Sequence, residues 1–196
     1  ISARNEEAVI AQLVDSLKRQ DYPAEYLDVY VVADNCTDNT AQAAGDAGAI
    51  VYQRSDTRHV GKGYALNFLL SHIREERGDH YYDGYFVFDA DNLLAPDYVS
   101  RMNEVFSPEC PIVTSYRNSK NYGDNWISAG YGLWFLRDAA FLNEPRTRLG
   151  LSAVVSGTGY VFSREIMLRW GGWPFHSLSE DTEFTVHCIL EGEKIG

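Results

Sequence analysis

Tyr85-Phe86-Val87-Phe88-Asp89-Ala90-Asp91 is the stretch that decides the fold. Four consecutive bulky apolar residues are too few for a helix and show no polar alternation. They read as a short strand covered on both faces. That strand runs straight into two carboxylates separated by one residue. Val29-Tyr30-Val31-Val32-Ala33 has the same character and ends at Asp34-Asn35-Cys36-Thr37-Asp38. Ala49 to Gln53 and Ile112 to Ser115 supply two more strands. Helical patterns lie between them. From Glu6 to Arg19, residues Val9, Ile10, Leu13, Val14 and Leu17 share a helical face, with Asn5 placed as N-cap. Thr40 to Ala47 is small and helix-compatible, and Gly48 stops it. Lys62 to Arg77 carries the stripe Leu66, Leu69, Leu70 and Ile73, and Gly78 closes it. Pro96 opens a further helix at an N1-like position. Strand and helix alternate as β-α-β-α-β-α-β, the pattern of a three-layer α/β domain with a mainly parallel sheet.

The second half differs. Asp124 to Leu142 is aromatic and reads as one long helix. Val154 to Ser163 holds Gly157 and Gly159 between short strands. Ser163 to Trp170 and Glu180 to Leu190 are helical. For most of Trp126, Tyr131, Trp134 and Trp173 core packing is the expected role. No linker, repeat or low-complexity tract interrupts the 196 residues, so one domain with a mixed second half is expected.

The formal net charge of -11, with no basic run, argues against nucleic acid as a partner. It also means that a phosphorylated ligand needs a cation or helix N-termini to offset the carboxylates of the chain. Cys36, Cys110 and Cys188 are odd in number, widely spaced and form no C-x-x-C pair, as expected of reduced thiols in a cytosolic protein rather than of a zinc site. Asn35-Cys36-Thr37 matches a glycosylation sequon only formally. The chain starts at Ile1 within or just after a strand and has no apolar run of membrane-spanning length, and it reads as part of a longer protein truncated at both ends.

Ligands of open α/β sheets bind at the carboxyl ends of the strands. Three polar segments fall there: Ala3-Arg4-Asn5-Glu6, Asp34 to Asp38, and Asp89-Ala90-Asp91-Asn92. Two carboxylates one residue apart repel each other unless a cation lies between them, and hard oxygen donors suit Mg²⁺ or Mn²⁺. Strand-end acids also serve as turn residues and caps. Gly61-Lys62-Gly63 precedes a helix and could hold a phosphate, although it is not a Walker A loop. Gly157-Thr158-Gly159 fits close backbone approach or a plain turn. Glu180-Asp181 opens a helix, where an acidic pair acts as a cap or, at a site mouth, as a general base.

In order and spacing these segments resemble the family 2 glycosyltransferases of the GT-A fold, from Ala3-Arg4-Asn5-Glu6-Glu7 to Glu180-Asp181-Thr182-Glu183. Within that family the chain is similar to the membrane-associated branch of cellulose, hyaluronan and poly-N-acetylglucosamine synthases. The resemblance implies a GT-A domain over residues 1–196, with a nucleotide-sugar-binding half at 1–115 and an acceptor-binding half at 116–196. It implies an inverting, metal-dependent transfer from a UDP-sugar of the glucose or N-acetylglucosamine type to an acceptor hydroxyl. Ala3, Arg4, Asn5 and Glu6 would line the nucleotide pocket. Asp34 would read the uracil edge, while Ala33 stands where the family has a further Asp. Lys62, in Gly61-Lys62-Gly63-Tyr64-Ala65-Leu66-Asn67, would lie near the nucleotide. Asp89, Ala90 and Asp91 match the D-x-D motif, with Asp91 binding Mn²⁺ or Mg²⁺ and Asp89 facing the sugar-nucleotide. Ser156, Gly157, Thr158 and Gly159 would line the donor-sugar and acceptor site together with Glu180, and Asp181 would be the base. Gly171-Gly172-Trp173 also fits. Arg169-Trp170 is no substitute for the Q-x-x-R-W segment of processive synthases, because it precedes the acidic pair and lacks the glutamine. A carbohydrate or lipid-linked acceptor is implied, in polysaccharide or cell-envelope glycan synthesis, in the cytoplasm or at the cytoplasmic face of the cell membrane, with membrane anchoring of the full-length protein. A sugar-phosphate nucleotidyltransferase is disfavoured because Ala3 to Glu6 is not a basic glycine-rich loop. A binding module that keeps only the fold is disfavoured by the presence of both Asp91 and Asp181.

Overall fold

A computed structural model describes residues 1–196. Six strands form a mixed sheet in two parts. Strands β1 (Ser2–Ala3), β2 (Tyr30–Asp34) and β3 (Ile50–Arg54) are parallel and neighbours in that order. Strands β4 (Gly84–Val87) and β5 (Ile112–Thr114) flank the antiparallel β6 (Tyr160–Ser163). A parallel bridge between Ser2 and Asp89 joins the two parts, giving the order β3-β2-β1-β4-β6-β5. Only β6 runs against the others. The sheet is thus mainly parallel, as the alternation of elements requires.

Helices cover both faces. Side chains alternate along each strand, so each strand feeds two cores. Tyr30 and Val32, Tyr85 and Val87, and Tyr160 and Phe162 enter the larger core with α3 (Lys62–Arg77), α7 (Arg164–Trp170) and α8 (Glu180–Leu190). Val31 and Phe88 face α1 (Ile10–Lys18) and α2 (Thr40–Asp46). Val113 and Val161 face α4 (Tyr98–Val105). Burial on both faces explains why these strands show no polar alternation. The larger core is aromatic: Trp173 stacks on Phe184 with ring centroids 5.1 Å apart and meets Tyr160, Phe162 and Phe175.

Several expectations need correction. Asn5 is not the N-cap of α1, which begins at Ile10. Asn5 sits in the left-handed region at φ 58° and its side chain turns to the next loop. Pro96 is not the first residue of α4, whose N-cap is Asp97. Residues Val154 to Gly159 form no strand, and only Tyr160–Ser163 pairs. The aromatic segment is a chain of three pieces rather than one helix: α5 (Trp126–Arg137), a π-turn (Asp138–Asn143) and α6 (Glu144–Arg148). Asn125 caps α5 by accepting from the N–H groups of Ile127 and Ser128. Core packing holds for Trp173 but not for Trp126, Tyr131 or Trp134, which are exposed.

Candidate active site

Loops at the carboxyl ends of the strands are tied to one another by short polar side chains. Asn5 Oδ1 accepts from the Thr37 N–H at 2.8 Å, and Thr40 Oγ1 accepts from the Glu6 N–H at 2.7 Å. Glu7 accepts from the Asn39 N–H at 2.8 Å. These bonds fix the first polar segment against the second. Asn35, also left-handed at φ 52°, exchanges two bonds with the backbone of Asp56 and so fixes the second segment against the loop after β3. Asp34 is buried, and its Oδ1 takes the Arg54 guanidinium at 2.6 Å. Arg54 also holds Asp56 and the His59 carbonyl. Hydrogen bonds from the His59 ring and from the N–H groups of Arg58 and His59 keep the Asp56 carboxyl well below the usual range.

Lys62 is the centre of the site. As the first residue of α3 it sends its ammonium to Asp89 Oδ1 at 2.5 Å and to Glu180 Oε1 at 3.5 Å, and it donates to the Gly157 carbonyl. One cation thus draws together the ends of β4 and α3, the glycine segment and the start of α8. Glu180 is buried, and that burial raises its pKa while Lys62 opposes the rise. Asp89 is held from its backbone as well: its N–H donates to Thr158 Oγ1 at 2.9 Å, and the Thr158 hydroxyl donates to Asn92.

Two glycine motifs have packing roles as well. A Cβ on Gly63 would lie 1.8 Å from the Phe175 carbonyl oxygen, so α3 docks here only without a side chain. Asn67 accepts from the Trp173 N–H at 3.0 Å, and thereby fastens the Gly171-Gly172-Trp173 turn to α3. At Gly157, φ is +72°, and a Cβ would come within 3.7 Å of both Asp181 Oδ2 and Arg117 Nη1. Asp181 therefore stands beside the glycine segment, next to the Lys62 cluster. Its Oδ1 accepts from the Thr182 N–H at 2.8 Å.

Of the residues expected from sequence, Lys62, Asp89, Gly157, Thr158, Glu180 and Asp181 converge directly. Asp91 is exposed at the turn after Asp89, and Ala90 between them is buried. Gly159 lies one step further in, its N–H bonded to the Val87 carbonyl at 2.9 Å. Glu6 belongs to the same rim: partial burial, then the charges of Asp91, Asp38 and Asp89, raise its pKa. Arg4 and Asn5 are exposed at its edge, and Ala3 is buried beneath them. Asp34 stands apart on the Arg54 pair. No three His, Cys, Asp or Glu side chains form a metal cage. Such a cage is not what a hard octahedral ion on a diphosphate needs. Mg²⁺ and similar ions take one or two carboxylates and fill their other positions with phosphate oxygens and water. Exposed Asp91 and half-exposed Asp89 fit that donor set.

Sequence reasoning missed Arg54, Arg117 and Lys120. Arg54 was available from strand register, since β2 and β3 pair Asp34 with Arg54. Arg117 donates to Ser156 Oγ at 2.8 Å and lies over the Phe135 ring at 4.4 Å. Lys120 donates to the Asp91 carbonyl at 2.9 Å. Both stand on an irregular loop after β5 that carries no motif.

The sequence profile described as "Glycosyltransferase like family 2" matches residues 1–195. A beta-monoglucosyldiacylglycerol synthase of Synechocystis sp. is 29% identical over 202 residues, covering 100% of this chain and 40% of that protein. The probable glycosyltransferase YdaM of Bacillus subtilis is 27% identical, covering 100% of this chain and 47% of its own length. The chain therefore spans less than half the length of these curated relatives. Among solved structures, the mannosyltransferase PcManGT of Pyrobaculum calidifontis, in complex with GDP-Man and Mn²⁺, superposes with a TM-score of 0.70 at 23% identity, over 99% of this chain and 52% of that one. TarS 1-349 of S. aureus, in complex with UDP-GlcNAc, gives 0.69 at 16% identity, over 99% and 53%. These likenesses establish the GT-A fold. With the profile matched over nearly its whole length, the chain belongs to the family 2 glycosyltransferases.

Proposed function

We propose that the chain carries the catalytic centre of an inverting, metal-dependent transfer from a UDP-sugar to an acceptor hydroxyl, with Asp181 as general base. The observation that carries this reading is the convergence on Lys62. That lysine gathers Asp89, Glu180 and the Gly157 carbonyl at the carboxyl end of the sheet, with Asp181 beside them. Residues 1–115 would form the nucleotide half. There Ala3 to Glu6 make one wall, and Asp34, clamped by Arg54, presents its second oxygen to a base N–H. Residues 116–196 would form the acceptor half. Asp91 and Asp89 are the residues that would hold Mn²⁺ or Mg²⁺. Bound there, the ion supplies Lewis-acid stabilisation of the charge that develops on the departing diphosphate.

The residues of the chain account for the remaining chemistry. Lys62 keeps Asp89 oriented and partly neutralises it, so that an anionic donor meets less repulsion. Asp181 has one oxygen fixed by the Thr182 N–H, which leaves Oδ2 on the side of Gly157. An acceptor hydroxyl entering there would give its proton to Oδ2 as its oxygen attacks the anomeric carbon. Attack from the side opposite the diphosphate inverts the centre in one step. Glu180, buried and tied to Lys62, positions the start of α8 and so the base. A beta-monoglucosyldiacylglycerol synthase among the relatives supports a lipid acceptor, and we place the reaction at the cytoplasmic face of a membrane. Asp181→Asn is expected to retain donor binding within about threefold and to lose turnover by about 10²–10⁴, the usual range for a general base. Unchanged turnover would remove Asp181 from its role.

A further inference from the structure

Helix α5 is built inside out. Its only buried residues are Ser128 and Gly132, while its large apolar residues other than Phe135 face solvent. Gly132 packs so tightly that a Cβ would meet the Tyr122 ring at 2.5 Å. Trp126 is 83% exposed, and Ile127, Tyr131, Leu133 and Trp134 are exposed around the same broad arc. The face continues past the helix through Phe141, 72% exposed, to Leu149 and Leu151. The three pieces of this segment pack chiefly on one another. Folding of the domain alone gives no reason for small residues inward and aromatics outward. A contiguous apolar surface of this kind marks a contact with something else.

Composition and charge decide what that is. From Tyr116 to Leu151 there are five cations (Arg117, Lys120, Arg137, Arg146 and Arg148) against three carboxylates (Asp124, Asp138 and Glu144), a net of +2 in a chain of net -11. Within α5, the π-turn and α6 themselves, Arg137, Arg146 and Arg148 stand against Asp138 and Glu144, so the face meets an anionic surface without net repulsion. Its exposed apolar residues include two tryptophans and a tyrosine, whose apolar rings with polar tips settle at the headgroup level of a bilayer. Arg137 lies over the Trp134 ring at 5.2 Å, a cation held at the edge of the apolar face. No helix is long and apolar enough to cross a membrane, so contact through this segment would be at the interface rather than across it.

We infer that the face formed by α5, the π-turn and α6 docks peripherally on an anionic lipid surface. The docking rests on this segment alone. Its consequence rests on the glycosyl-transfer reading. Phe135 of α5 supports Arg117 beside Asp181, and Lys120 of the preceding loop holds the Asp91 carbonyl. A membrane under α5 would thus lie at the acceptor side of the site, where a lipid-borne hydroxyl could reach the base.

The test is co-flotation of the chain with vesicles of phosphatidylcholine alone or with 30% phosphatidylglycerol, at low and high salt, with tryptophan emission recorded in parallel. Binding to the anionic vesicles with a blue shift, weakened at least tenfold by high salt and by Trp126→Ser/Phe141→Ser, is the expected result. Both positions are exposed, so thermal melting of the variant should match the parent. Equal binding to neutral vesicles would overturn the electrostatic part of the inference. No binding to either vesicle would overturn the docking, and a concentration-dependent dimer abolished by the same variant would assign the face to a second copy instead. UDP titration of the same samples reads the nucleotide site separately, so loss of one property is distinguishable from loss of the other.

Discussion

Replacing Lys62 with Met removes the cation on which the site converges and leaves a neutral side chain of similar length. The two ionic arms are unequal. The bond to Asp89 is short at 2.5 Å, but the Asp89 side chain is 42% exposed, so screening limits this arm to about 0–1 kcal/mol. The Glu180 carboxylate is only 9% exposed and 3.5 Å away. Leaving such a group without its partner costs about 3 kcal/mol, the low end for a broken buried pair. Lys62→Met should therefore lose about 3–4 kcal/mol, or roughly 6–16 °C of melting temperature at this chain length. Burial already raises the Glu180 pKa, and Lys62 opposes that rise, so the variant should raise it further. An acid whose folded pKa is raised costs nothing below its unfolded value near 4.3; the cost grows as pH rises from there to the folded value and is constant above it. The deficit of Lys62→Met should accordingly shrink between pH 7 and pH 4. Adding Glu180→Gln should recover about 2 kcal/mol and flatten the pH dependence. Thermal and urea melts of the four proteins close the cycle. Additivity within about 0.5 kcal/mol, or a deficit independent of pH, would refute the placement of Lys62 against Glu180.

Gly63→Ala tests the docking of α3 on the segment before α8. The added carbon would lie 1.8 Å from the Phe175 carbonyl oxygen and 2.9 Å from its carbon, both backbone atoms that cannot rotate away. A loss of about 3 kcal/mol or more is expected in urea melts. The exposed Gly130→Ala, which meets nothing within 4 Å in helix α5, should instead gain about 0.5–1 kcal/mol. Asp56→Asn should loosen the loop after β3. Because Asp56 titrates below the usual range in the fold, its contribution is complete above about pH 4 and disappears as pH falls through the folded value. Parent and variant should therefore converge in melting temperature on acidification, and a constant gap would contradict the assigned bonds.

How much of this was legible in the sequence follows from what each residue does locally. Buried runs such as Tyr85 to Phe88 and the Leu66–Ile73 stripe specify strand and helix by themselves, and Lys62–Arg77 falls where its pattern places it. Asn5 did not, because its role is non-local: it accepts from Thr37, thirty-two residues away, and an asparagine before an apolar stripe looks the same whether it caps a helix or clasps a loop. Residues Val154 to Gly159 resemble strand by composition, yet their backbone turns at Gly157 and Gly159 to reach Lys62 and the Val87 carbonyl. At the site, motif positions were readable, but the ion pairs of Lys62 and Arg54 depend on which strand ends meet. The exposed aromatics of α5 misled for a related reason. An apolar helix is normally a buried one, and only the fold shows which side of it has nothing to pack against.

The most direct test of the central claim is calorimetric titration of the chain with UDP, in Mn²⁺ and then in EDTA, repeated with Asp91→Ala. The account predicts binding that falls at least tenfold on metal removal and equally in the variant, while Asp181→Asn binds like the parent. Equal UDP affinity with and without metal, or an Asp91→Ala variant indistinguishable from the parent, would contradict it.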